Sequence, residues 1–127
     1  MIDHVSIAVR DLAGCGRFYE TLLATLGYSK LVTRPGTLGF GKKYPEFWLN
    51  ERRAMMPVDP DTGAHICLRA SSAEAVQAFH AAAVENGGIS DGAPGPRSGT
   101  IAGYYATFVR DPEGNRIEAA TFTAGGG

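Results

Sequence analysis

The sequence predicts an α+β protein in which one βαβββ unit is used twice. The first observation behind this is a repeat. The same offset of 61 residues separates His4 from His65, Phe18 from Phe79 and Gly27 from Gly88, so strand, helix and terminating glycine recur in register. The second is the type of connection. Apart from one helix per half, the strands follow one another through short turns, which argues against a parallel doubly wound sheet. Each half alone would expose one face of a curved sheet. Two halves side by side would bury much of that face and leave a concave surface.

Each element has a local reason. Residues 2–9 alternate and are rich in Val and Ile, the pattern of a strand. Asp11 is placed as an N-cap for a helix over residues 12–26, in which Phe18, Leu22 and Leu26 form one apolar stripe. Gly27 suits the left-handed residue that ends a helix. Strands are expected over 28–33, 37–41 and 46–50, with Pro35-Gly36 turning the chain. Residues 51–63, with Pro57, Pro60 and Gly63, read as the connector between halves. A strand over 64–70 follows, then Ser72 caps a helix over 73–86 that Gly87-Gly88 ends. Residues 89–102 are rich in Gly, Pro and Ser and read as a mobile loop with at most a short strand. Strands over 104–110 and 116–122 flank the turn Asp111-Pro112-Glu113-Gly114-Asn115. The expected organisation is one domain over 1–124, with modules at 1–56 and 64–124 and a flexible tail at 125–127.

Composition narrows the function. The 127-residue chain is 44% hydrophobic and 20% charged, ordinary for a globular protein. Its net charge of −1 argues against a nucleic-acid footprint. No apolar run reaches the roughly 20 residues of a membrane span. Met1 leads straight into a strand, so the expected location is cytoplasmic. Cys15 and Cys67 form no close metal-binding pair and are expected as reduced thiols.

Three residues stand out chemically. His4, His65 and Glu118 each fall in an expected strand. Strand residues alternate faces, so Val5, Ile7, Val9, Ile66, Leu68 and Ala70 suit packing under the helices. The opposite faces carry His4, His65 and Glu118. Two imidazoles and a carboxylate on converging strands can bind a divalent metal at one face and leave positions open for substrate. Those residue types suit Zn, Mn, Fe, Ni or Co alike. His80, on a helix beside Phe79, reads as a surface residue.

The residues carry a family resemblance over nearly the whole chain. His4 stands in an opening Met1-Ile2-Asp3-His4-Val5 strand, Phe18-Tyr19 lies on the first helix, and His65 opens the second module. The most specific motif is Asp111-Pro112-Glu113-Gly114-Asn115-Arg116-Ile117-Glu118. In these the chain resembles the vicinal oxygen chelate superfamily, which includes glyoxalase I, fosfomycin-resistance thiol transferases, extradiol dioxygenases and bleomycin-resistance proteins. The resemblance implies paired βαβββ modules forming a U-shaped mixed sheet around a central cleft. It implies a metal held by His4, His65 and Glu118, and a homodimer, in some members with the site shared between chains. Glyoxalase I has a further carboxylate on the last strand of the first module. Here Trp48 or a neighbour takes that place, with Glu46 at the strand start.

The expected function is a glyoxalase-like, metal-dependent enzyme acting on a small oxygen-chelating substrate by isomerase, lyase or thiol-transferase chemistry. Tyr104, Tyr105 and Arg97 are the polar catalytic candidates. Trp48, Phe47 and Arg69 are the substrate-contact candidates. An extradiol dioxygenase wants an extra acid–base histidine near the metal, and residues 94–105 contain none. Two rivals remain: a metal-independent protein that sequesters a drug or metabolite, as in bleomycin resistance, and an unliganded packing domain.

Overall fold

The computed structural model describes residues 1–98 and 101–122. The chain runs β1 (Val5–Val9), α1 (Leu12–Ala24), β2 (Ser29–Arg34), β3 (Thr37–Gly41) and β4 (Pro45–Glu51). It continues through β5 (Ile66–Arg69), α2 (Ala73–Glu85), β6 (Ile89–Pro96), β7 (Tyr104–Arg110) and β8 (Arg116–Phe122). Two four-stranded mixed sheets result, ordered β1-β4-β3-β2 and β5-β8-β7-β6. In each, the first strand is parallel to the last and the other pairs are antiparallel. This is the α+β architecture the repeat predicts, and the open sheets leave room for a cleft.

The two helices are built alike. Both have 13 residues, and their starts, Leu12 and Ala73, are again 61 apart. Asp11 accepts the Gly14 N–H and Ser72 accepts the Ala75 N–H, both at 3.1 Å, each satisfying one free donor of its first turn. One face of each sheet packs beneath its helix. Phe18, Tyr19, Leu22 and Leu23 of α1, with Val76, Phe79 and Ala83 of α2, lie in a core shared with Phe40, Phe47, Leu49, Val109, Ile117 and Ala119. The expected helix-side set joins this core: Val9 and Ala70 are buried, and Val5, Ile7, Ile66 and Leu68 pack against it. Burying each large apolar side chain contributes roughly 1.5–3 kcal/mol.

Four local expectations are corrected. The first strand begins at Val5 and the fifth at Ile66, so His4 and His65 each sit one residue ahead of a strand rather than inside it. The first helix ends at Ala24, not 26, where the Thr25 hydroxyl bonds the Leu22 carbonyl at 2.6 Å and Gly27 takes φ +83°. In the second module the left-handed residue is Gly87 (φ +98°), not Gly88. Gly88 is small for a different reason. A Cβ there would come within 2.9 Å of the Ala83 carbonyl and the Phe18 ring.

The fourth correction concerns residues 89–96, expected as mobile loop with at most a short strand and observed as the eight-residue strand β6. Strand β6 is a sheet edge whose pairing with β7 slips between Ser90 and Gly92 and between Gly92 and Gly95. An edge strand tolerates Gly and Pro, because one side of its backbone needs no ladder. Composition hid a strand held by backbone bonds. The expected tail at 125–127 lies outside the described residues.

Contacts distant in sequence join the modules. Helix α1 packs on α2, and the buried Tyr19 hydroxyl donates to Asp111 at 2.7 Å. Glu113 accepts the N–H groups of Arg10 and Asp11.

Candidate functional site

Strand register decides which side chains share the open face of each sheet. Cys67 pairs with Glu118, and Glu118 pairs with Phe108, so these three lie in one row on one face. His65, two residues before Cys67, reaches the same place: its Nε2 lies 3.0 Å from Glu118 Oε1. The histidine side chain is 45% exposed and that of Glu118 only 3%. A buried carboxylate needs donors, and the Tyr104 hydroxyl supplies a second one at Oε2.

The electrostatics follow from that carboxylate. Partial burial, then the Glu118 charge and hydrogen bond, push the Cys67 thiol up to about 12. Burial, then the bond and charge of Glu118, push the Tyr104 phenol up to about 12, with Arg97 opposing. Both groups are therefore neutral at pH 7. On the first sheet, Tyr28 donates to Glu46 at 2.9 Å, and burial followed by Glu46 raises its phenol to about 12.

The remaining predicted residues separate into two groups. Arg69 lies over the Phe122 ring at 4.7 Å, and Arg97 over the Phe108 ring at 5.3 Å. Phe122 in turn stacks on Tyr104 at 5.0 Å. Phe47 and Tyr105 face the other way. Phe47 is fully buried and packs on Tyr19 at 5.2 Å, because alternation along β4 turns it beneath α1. Tyr105 packs against the core, and its hydroxyl accepts from Gln77 of α2 at 3.0 Å. Both lie on the helix side of their sheets, away from the His65–Glu118 pair. His80, half-buried, bonds Ser90 at 2.8 Å.

Trp48 occupies a telling position. Ser6 pairs with Trp48 as Cys67 pairs with Glu118, and Ser6 and Cys67 are 61 residues apart. Trp48 therefore holds in the first module the place that Glu118 holds in the second. Its indole lies over Gly39, where a Cβ would meet the ring at 2.8 Å.

His4 stands apart. Its side chain is 54% exposed, and Nδ1 bonds Asp3 at 2.8 Å. Among the described residues, no three His, Cys, Asp or Glu side chains of one chain group to hold a metal ion. The single chain joins two of the three expected ligands. Two recesses, about 430 and 340 Å³, open along the seam between β1 and β5, and His65 and Val5 line both. Asp3 and Glu46 line the smaller one. Sequence reasoning passed over Phe108 and Phe122 altogether. Counting alternate residues from Tyr104 and Glu118 would have placed them on the open face.

The model of the Glyoxalase/Bleomycin resistance protein/Dioxygenase superfamily matches residues 1–119. The chain belongs to this superfamily. This superfamily member is 32% identical to a glyoxalase/bleomycin resistance protein from Albidiferax ferrireducens T118, with TM-score 0.84 over 94% of this chain and 97% of that one. A putative glyoxalase from Bacillus halodurans, 24% identical, shares the fold with TM-score 0.69 over 95% of each chain. A glyoxalase/bleomycin resistance protein/dioxygenase family enzyme from Burkholderia phytofirmans PsJN, 18% identical, does so at 0.71, over 96% of this chain and 98% of that one. No curated protein matches the sequence. No described helix is long and apolar enough to cross a membrane.

Proposed function

We propose that this superfamily member is a metal-dependent enzyme acting on a small oxygen-chelating substrate, by isomerase, lyase or thiol-transferase chemistry. One observation carries the reading: the 3.0 Å approach of His65 Nε2 to the buried Glu118 carboxylate. The imidazole and carboxylate thus suit a divalent ion of the Zn, Mn, Fe, Ni or Co type.

In this reading His4 of a second copy supplies the third ligand, and the protein works as a homodimer. A bound ion would polarise a substrate oxygen as a Lewis acid. The chain's own residues do the rest. Tyr104 fixes the Glu118 carboxylate from its far oxygen, which keeps Oε1 turned toward His65. The Arg69–Phe122 and Arg97–Phe108 pairs lie on the same open face of the second sheet as Glu118. Trp48 replaces a fourth carboxylate with an apolar face, leaving a three-ligand set.

Trp48 also favours a second reading, a cleft that sequesters a drug or metabolite without chemistry. Metal analysis of protein purified without chelator separates the two. We expect about one divalent ion per chain, lost in His65→Ala and in Glu118→Gln. Metal-free protein, or binding unchanged in both variants, would sink the enzymatic reading.

A further inference from the structure

Away from the seam the two sheets end in β2 and β6, and these two edges are not alike. An open sheet edge invites pairing with another chain, and proteins usually blunt it. Strand β6 is blunted. It carries Pro94 and Pro96, its ladder slips twice, and its Asp91 is tied to Arg110 and Arg116. Strand β2, its counterpart in the first module, has no proline, and its ladder with β3 slips once. Five of its six residues are exposed. Leu31, the residue that the slip passes over, is 42% exposed. Among the described residues, the backbone of 29–34 makes no hydrogen bond outside the β2–β3 ladder. A row of donors and acceptors about 20 Å long therefore faces solvent.

Beside this edge, between β2 and α1, lies a groove of about 450 Å³. The buried Gly16 and Leu38 line it, and four exposed cations rim it: Arg17, Lys30, Arg34 and Arg53. Glu20 lies 3.6 Å from Lys30, and Glu51 lies 3.1 Å from Arg53. The other oxygen of Glu51 accepts the Leu12 N–H at 3.2 Å. Among the described residues, Arg17 and Arg34 meet no carboxylate within 4 Å. The imbalance extends to the whole module. Residues 1–56 hold eight Lys and Arg against five Asp and Glu, whereas residues 57–127 hold four against eight.

Edge and charge together select the occupant. A small anion would meet the cations and leave the edge unpaired. A nucleic acid offers phosphates but no strand to pair. A second β2 would match the edge, but pairing about a two-fold axis would crowd Lys30 and Arg34 against their own copies. An extended acidic segment satisfies both. Its main chain pairs with β2, and alternate side chains carry carboxylates toward Arg17, Lys30 and Arg34.

We propose that β2 and the adjoining groove are a docking surface for an extended acidic segment of a partner protein, which adds a fifth strand to the first sheet. The surface shares no residue with the His65–Glu118 row of the second sheet, so it stands whether or not that row binds metal.

The test is an NMR titration of wild-type protein with a peptide of about seven residues that alternates glutamate and valine. One control peptide has lysine in place of glutamate. A second keeps the acidic sequence but has every backbone nitrogen methylated, which removes its main-chain donors. Saturable shifts and slowed hydrogen exchange are expected at the amides of residues 29–34 with the acidic peptide alone. Added salt should weaken the binding. Reversing both charges, Arg17→Glu with Arg34→Glu, should weaken it about tenfold or more. The two control peptides test charge and strand pairing on unaltered protein, even if that double variant fails to fold. No saturation below about 1 mM, an equal response to the lysine peptide, or equal affinity for the methylated peptide would overturn the proposal. Tighter binding of an oligothymidylate at the same amides would overturn it in favour of a nucleic-acid surface. Shifts of those amides on concentrating the free protein would do so in favour of a contact between copies.

Discussion

The carboxylate of Glu113 accepts the backbone N–H of Asp11 at 2.7 Å, across 102 residues of sequence. It also takes the Arg10 N–H at 2.6 Å and the Cys15 thiol at 3.4 Å. A side chain from the turn between β7 and β8 therefore closes the start of α1 in the other module. Its side chain is 9% exposed, so these bonds are formed away from bulk water.

That contact predicts an acid-labile junction. Burial would raise the Glu113 carboxyl, but the bonds from Arg10, Asp11 and Cys15 and the Arg10 charge outweigh it and hold the group below its ordinary 4.5. A lowered folded value means the stabilisation is complete above the unfolded value and is lost as pH falls through the folded one. Glu113→Gln should cost about 1–3 kcal/mol at pH 7. In urea denaturation between pH 7 and 3, the variant should lose less stability than the wild type. Parallel pH curves would contradict this.

The Tyr19–Asp111 bond predicts a second cost. Asp111 is 1% exposed and also accepts from Asn115 and the Glu113 N–H. Tyr19→Phe removes one donor and leaves the charge in place. A loss of about 1–2 kcal/mol is expected, read as a lowered thermal midpoint with an unchanged circular dichroism spectrum. An unchanged midpoint would mean that water replaces the hydroxyl.

Cys67 should be sluggish although its residue is exposed. With the thiol pushed up to about 12, the thiolate is scarce at pH 8. Its reaction with a disulfide reagent should be slower than that of an ordinary cysteine by roughly a hundredfold or more. Glu118→Gln removes one cause of the shift and should speed labelling. Fast wild-type labelling would remove the electrostatic account of this row.

A shared metal site makes a prediction about mixtures. His4→Ala and Glu118→Gln homodimers should each lose metal. A mixed dimer of the two should regain one site per dimer, because one pairing unites an intact His4 with an intact His65–Glu118. No recovery would place the third ligand elsewhere.

Gly39→Ala should displace the indole of Trp48, which lies 2.8 Å from the would-be Cβ. Such overpacking costs about 1–3 kcal/mol. Trp48 is the sole tryptophan, so intrinsic emission reports the move directly. An unchanged spectrum would mean that the neighbouring Pro45 yields instead.

Much of this protein was legible in its sequence. The offset of 61 already aligned both caps, both helices and both leading histidines, because a duplicated unit repeats its local signals at fixed spacing. Alternation along each strand correctly assigned the helix-side residues, since a pleated backbone leaves no other choice. Strand β6 was illegible, because its hydrogen bonds to β7 are made by backbone and its glycines and prolines imitate a loop. Phe47 and Tyr105 show a related limit: residue type suggested a substrate contact and a polar catalytic group, whereas register turned both toward the helices.

Tertiary structure alone decided the partners. Only pairing across strands shows that Trp48 stands where Glu118 stands, and that Arg97 folds back over Gly92 to rest on Phe108. Only the fold brings His65 to Glu118 while leaving His4 on Asp3. Local spacing determines the elements and their faces. Contacts between residues far apart in the chain determine the site, because they depend on how the strands register and how the two modules pack.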